Sequence, residues 1–95
     1  MALQFEWDAR KAEANEAKHG VSFEEAITVF ADPLARIFEG EEHSESERRE
    51  IIIGHSDQRN LVLVSFVEFG ERVRLISARK VTRMGRKDYE ENVNS

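Results

Sequence analysis

The stretch LVLVSFVEFGERVRLISARK, residues 61–80, holds two runs rich in Val, Leu, Ile and Phe, broken by Gly70 and Glu71. Runs of this composition on either side of a short Gly-containing break read as two antiparallel strands of a hairpin. REIIIGHS (49–56) lies just upstream across the polar turn SDQRN, so three strands in succession form a meander. The last run is unusual because Arg72, Arg74, Arg79 and Lys80 lie within it or at its end. Side chains of a strand alternate, which sets Val73, Leu75, Ser77 and Arg79 on one face and Arg72, Arg74, Ile76, Ala78 and Lys80 on the other. A row of Arg74, Ala78 and Lys80 then makes a surface that grips phosphate, since a guanidinium donates two hydrogen bonds to a phosphate and keeps its proton at neutral pH. The competing reading is that these are ordinary exposed cations paired with Glu68, Glu71 or the acidic loop upstream.

Upstream of the meander the apolar period changes from two to 3.6. Asp8 is an N-cap for ARKAEANEAKH, which Gly20 closes as a C′ residue, and in this helix Lys11, Asn15 and Lys18 share a stripe. A second helix starts at Ser22 with a capping box to Glu25, carries Phe23, Ala26, Ile27 and Phe30 on one side, and stops at Asp32 and Pro33. A short strand is expected around Arg36 to Phe38, then an acidic loop or hairpin connection through EGEEHSESERRE (39–50). VTRMGRKDYEEN (81–92) reads as a short C-terminal helix capped by Thr82. The expected fold is therefore α+β: two N-terminal helices, an antiparallel sheet of about four strands and a short C-terminal helix, all in one domain over residues 1–95.

Composition narrows the function classes. A chain of 95 residues with 40% hydrophobic content supports one core. No apolar run approaches the ~20 residues of a membrane span, and MALQFEWD lacks the character of a signal peptide, so a cytoplasmic location is expected. Without cysteine there is no thiol nucleophile and no thiolate metal site. The net charge of −5 opposes polyanion binding, but it is unevenly spread: residues 39–50 hold six acids and two Arg, while residues 72–87 hold seven Lys or Arg and no acid.

Most familiar catalytic constellations are missing. His55, Ser56 and Asp57 are neighbours in sequence, whereas the members of a triad meet through the fold. His19, His43 and His55 have no metal-ligand spacing, and Gly54 and Gly70 have no phosphate-loop spacing, so no cofactor is expected. His19 ends the first helix, where imidazole serves either as an acid–base group or as a partner of the last carbonyls. Trp7 and Phe5 either stack on a base or anchor the first segment in the core.

The pattern F-E-W-D-x-x-K-x-x-x-N-x-x-K-H-G-V-x-F-E-E-A from Phe5 to Ala26, followed by D-P, I-G, R-x-I-S-A-R-K and a terminal Y-E, resembles the BrnT toxins of type II toxin–antitoxin systems. The resemblance implies a RelE-like fold, an endoribonuclease that cuts RNA and blocks translation, and a BrnA-like antitoxin with a ribbon-helix-helix domain. A toxin homodimer within the toxin–antitoxin complex, meeting operator DNA only through the antitoxin, is implied as well. The matching positions are Lys11, Asn15, Lys18 and His19 in the first block, Arg74, Ser77, Arg79 and Lys80 in the second, and Tyr89. Metal-free RNA cleavage uses the 2′-hydroxyl as nucleophile. Arg79, Lys80 and His19 are accordingly expected to be catalytic, and Lys11, Lys18, Arg74 and Arg83 to bind RNA. Two positions depart from the family pattern, Phe69 where a basic residue is usual and Gly85 where an acid is usual. They support the alternative of an inactive toxin-like module that binds an antitoxin and contributes to operon autoregulation.

Overall fold

A computed structural model of the chain describes residues 3–44 and 47–81. The element order is β1 (Gln4–Glu6), α1 (Ala9–His19), α2 (Phe23–Val29), β2 (Arg36–Ser44), β3 (Glu47–His55), β4 (Leu61–Phe69) and β5 (Arg72–Lys80). The strands form one sheet in the order β1-β5-β4-β3-β2. Strands β2 to β5 are the expected antiparallel meander. β1 is an addition: three residues pair in parallel with β5, Gln4 with Arg72, Phe5 with Val73 and Glu6 with Arg74, which makes the sheet mixed and five-stranded. The expected C-terminal helix, with Thr82, Arg83, Gly85 and Tyr89, lies outside the described residues.

Both described helices begin at their expected caps, α1 ends at Gly20 as expected, and α2 ends at Val29, short of the stop expected at Asp32 and Pro33. The Asp8 carboxylate accepts the N–H groups of Arg10 and Lys11 at 2.8 and 3.2 Å, and Gly20, at φ 72°, donates its N–H to the Glu16 carbonyl. In α2 the Ser22 hydroxyl accepts the Glu25 N–H at 3.0 Å. The capping box is only half made, however. The Glu25 carboxylate turns inward and accepts from Ser56 Oγ at 2.7 Å and Asn60 Nδ2 at 2.8 Å, tying α2 to the β3–β4 turn. Of the two expectations for the acidic segment, loop or hairpin connection, the structure has the hairpin: β2 runs on to Ser44 and β3 starts at Glu47, across a register shift between Glu39 and His43. Backbone pairing carried on from the apolar part of the ladder extends strands that composition alone would end.

The core lies between the sheet and the two helices. Val21, Phe23, Ala26 and Val29 meet Ile52, Val62, Val64, Phe66, Val73, Leu75 and Ala78. Phe5, Phe30 and Phe66 stack edge to face in a line, with centroids 5.0 and 5.1 Å apart, and Trp7 sits 5.9 Å from Phe23. Both N-terminal aromatics thus anchor the first segment. A side chain on Gly54 would meet Ala35 Cβ at 2.7 Å and Asp32 Oδ2 at 2.9 Å, while Asp32 accepts the His55 N–H at 2.8 Å. The Asp32-Pro33 and Ile53-Gly54 signatures are therefore one clasp between the end of α2 and β3.

Candidate functional site

The placement of the cations is decided by one irregularity in β5. Ser65 of β4 pairs with Ser77 and Phe66 pairs with Leu75, so Ile76 is an extra residue with no partner of its own. Such a bulge reverses the alternation that follows it. Before it Val73 and Leu75 face the core; after it Ala78 does, beside Val64. The strict alternation expected from the sequence is thus corrected. Arg79, paired with Leu63, moves to the face of Arg72 and Arg74, and Lys80, paired with the core residue Val62, moves to the face of the helices.

The face turned away from the helices has a floor of Ile51, Ile53, Leu63 and Val67, with exposed Arg72, Arg74 and Arg79 along β5. Arg74 is the paired member of this row. Its Nε and Nη2 donate to Glu6 Oε2 at 3.1 and 3.0 Å, and its guanidinium lies 5.6 Å from the Phe69 ring centre. Phe69, the departure from the family pattern, thus supports an arginine. Lys11, Lys18, Arg72, Arg79 and Lys80 are all exposed and make no ion pair among the described residues. Local pairing with Glu68 or Glu71 therefore does not explain them.

Where β1 ends and α1 begins, a cleft of about 360 Å³ opens at the sheet edge, lined by Glu6, Trp7, Asp8, Lys11, Arg74, Leu75 and Ile76. It brings Lys11 and Arg74 together from opposite ends of the sequence. Further along, Asn15 is buried and takes the place of a neighbouring strand: its Oδ1 accepts the Ala78 N–H at 3.0 Å, and its Nδ2 donates to the Ala78 and Val21 carbonyls at 2.8 and 3.0 Å. This occurs on the edge of β5 that β1 leaves open beyond Arg74. With Lys11 beside residues 74–76 and Asn15 on residue 78, α1 and β5 run in the same sense. The Lys18–His19 end of α1 therefore lies toward the Lys80 end of β5. Lys11 and His19 are about 12 Å apart along the helix axis, and Arg74 and Arg79 roughly 16 Å apart along the strand.

The expected residues thus divide into two groups, Lys11 with Arg74 in the cleft and Lys18, His19, Arg79 and Lys80 toward the other end; Arg83 lies outside the described residues. His19 is half-buried and its side chain makes no hydrogen bond among the described residues, the end of α1 being closed by the Gly20 N–H instead. Sequence reasoning missed Glu6. Its signal was the acid in F-E-W-D, which becomes legible only once β1 is paired with β5.

The second polar cluster is structural. Ser56 Oγ donates to Glu25 and accepts from the N–H groups of Gln58 and Asn60, so its hydroxyl is fully used in holding the turn. His55 Nδ1 is 3.8 Å from Asp32 rather than within hydrogen-bond reach of Ser56. Among the described residues no group of three His, Asp or Glu side chains is placed to hold a metal ion, and no described helix is long and apolar enough to cross a membrane.

Residues 7–84 match the family model described as the ribonuclease toxin BrnT of type II toxin–antitoxin systems. The chain belongs to the BrnT family. Its fold is similar to the crystal structure of the Brucella abortus ribonuclease toxin BrnT, with a TM-score of 0.66 and 24% sequence identity over 86% of this chain and 100% of that one. No curated protein matches the chain. As a BrnT ribonuclease toxin, it has an antitoxin partner implied by its type II system. The matched region holds the whole of α1 and β5, and with them both groups of cations.

Proposed function

We propose that this BrnT chain is a RelE-like endoribonuclease that acts in the cytoplasm, cuts RNA without a metal ion, inhibits translation and is silenced by a BrnA-like ribbon-helix-helix antitoxin. The observation that carries this reading is charge placement. An acidic chain of net charge −5 leaves six exposed cations along α1 and β5, Arg10, Lys11, Lys18, Arg72, Arg79 and Lys80, without an acidic partner among the described residues. Unpaired Lys and Arg gathered around one edge of a sheet are what a phosphate backbone recruits, because each contact releases condensed counterions. The spread between the Arg74 and Arg79 ends suits a strand of a few nucleotides laid along the edge of the sheet. In this arrangement the cleft at Lys11 and Arg74 takes the scissile phosphate. Lys18, His19, Arg79 and Lys80 hold the strand beyond it, with His19 also available to exchange a proton, and Arg83, outside the described residues, also binds RNA. The toxin works as a homodimer within the complex with its antitoxin, and reaches operator DNA through that partner alone.

The test is induced expression of the chain in a bacterial host, beside Arg79→Ala/Lys80→Ala and Arg72→Ala/Arg79→Ala double variants. Growth arrest with loss of intact RNA is expected for the parent chain and relief for both variants. Unlike Lys80, Arg72 and Arg79 share a face, so the second pair reads out the face that the bulge assembles. Normal growth with soluble, folded parent protein refutes the ribonuclease reading in favour of an inactive antitoxin-binding module.

A further inference from the structure

The cleft at the sheet edge contains an acid with an oxygen to spare. Asp8 caps α1 through Oδ1 alone, so its Oδ2 is without a donor among the described residues, but Asp8 makes no hydrogen bond or ion pair with Arg74. Glu6, its side chain 38% exposed, meets Arg74 through Oε2 alone, and among the described residues no donor reaches Oε1. Arg74 has a complementary surplus: two of its donors go to Glu6, and a guanidinium has five. One guanidinium can thus hold a carboxylate on one side and a phosphoryl oxygen on the other. Lys11, without an acidic partner among the described residues, lines the same cleft, and Trp7 forms part of its wall. His19 lies about 12 Å further along α1, and of the two acids that line the cleft Glu6 is the one bonded to Arg74.

We propose that Glu6 is the general base that takes the 2′-hydroxyl proton from an RNA strand held on Lys11 and Arg74. This rests on the ribonuclease reading above. The proton passes to Glu6 Oε1, and the electron pair left on O2′ forms the new P–O2′ bond. The P–O5′ bond breaks, and O5′ leaves with its pair and takes a proton from solvent through the open mouth of the cleft. Glu6 then returns its proton to solvent. The products are a 2′,3′-cyclic phosphate and a 5′-hydroxyl end. Arg74 and Lys11 bear the added negative charge on the phosphoryl oxygens in the transition state.

The experiment uses the purified full chain and a mixed-sequence RNA oligonucleotide carrying a fluorophore and a quencher. Its 2′-O-methyl counterpart, which lacks the nucleophile, reports binding. Glu6→Gln keeps an acceptor for Arg74 and removes the base; circular dichroism checks its fold. A loss of roughly 100-fold or more in kcat is expected, the range of a general base, with KM changed by less than about threefold. The acid limb of the wild-type pH–rate profile should vanish in the variant. Formate should restore part of the activity of Glu6→Ala, reading the same step in a second variant. If the wild type cuts RNA and Glu6→Gln cuts it equally fast, Glu6 is not the base and the ribonuclease reading stands. A KM raised as in Arg74→Ala, with an unchanged pH profile and no formate rescue, makes Glu6 a positioning residue for Arg74 and overturns its role as base. A wild-type chain that cuts no RNA overturns the ribonuclease reading and this proposal together.

Discussion

Replacing Asn15 by Ala separates two meanings of the most prominent polar residue in the N-terminal signature. The side chain makes three hydrogen bonds, to the N–H and carbonyl of Ala78 and to the carbonyl of Val21, from a position only 8% exposed. Truncation leaves three backbone groups without their partner, and each buried polar group left unmade costs about 1–3 kcal/mol. The site is at the sheet edge, where water enters once the amide is gone, so about 1 kcal/mol for each group is the appropriate end of that range. Ala returns roughly 0.5 kcal/mol of helix propensity in α1. The net expectation is a loss of about 2–3 kcal/mol, a large part of the ~5–15 kcal/mol typical of a folded domain. Urea unfolding followed by circular dichroism should show the midpoint falling by about 1 M or more at unchanged slope, for a slope of about 1–3 kcal/mol/M. RNA cleavage per folded molecule should persist. A variant that keeps its stability to within about 0.5 kcal/mol yet loses cleavage would refute the strand-edge role and make Asn15 an RNA ligand.

Gly54→Ala should destabilise the fold by about 2–4 kcal/mol. The new methyl would meet Ala35 and Asp32 at under 3 Å, an overpacking worth about 1–3 kcal/mol, and would disturb the bond from the His55 N–H to Asp32, worth about 1 kcal/mol. Urea or thermal unfolding checks this, and an unchanged midpoint would show that residues 32–35 yield freely. Ser56→Ala should cost about 1.5–3 kcal/mol, the worth of a hydrogen bond to a charged group, while leaving RNA cleavage per folded molecule unchanged. Loss of cleavage in a stable Ser56→Ala chain would instead make Ser56 part of the active site.

What could be read from the sequence follows from the range of the interactions. The caps at Asp8, Gly20 and Ser22 act over three or four residues, and each is found where the local pattern puts it. The three apolar runs of the meander pair with their chain neighbours, so alternation and short turns suffice to place β3, β4 and β5. β1 was not legible because three residues carry no period, and its partner lies 68 residues away. The bulge at Ile76 escaped because RVRLISARK alternates well enough to look regular. Only the pairing with Ser65 and Phe66 shows which residue is extra. These two non-local features are the ones that build the candidate site, since β1 delivers Glu6 to Arg74 and the bulge delivers Arg79 to the face of Arg72.

The two signatures that carry the family resemblance are therefore each a mixture of roles. In the first, Phe5, Trp7, Asp8, Asn15, Gly20, Val21, Phe23, Glu25 and Ala26 have identifiable duties in packing, capping or hydrogen bonding. Lys11, Lys18 and His19 have none among the described residues. In the second, Leu75 and Ala78 fill the core, while Arg79 and Lys80 stay exposed and unpaired among the described residues, as does Arg72 just ahead of it. A charged side chain that contributes nothing to folding is free to be selected for what it binds, and keeping several such cations in a row invites mutual repulsion. The subset of each signature that the fold does not use is therefore the subset to which a site should be assigned. Glu6 and Arg74 belong to both subsets. Their exposed pair contributes at most about 1 kcal/mol to stability, which makes its placement in the cleft, rather than its strength, the reason to look there for chemistry.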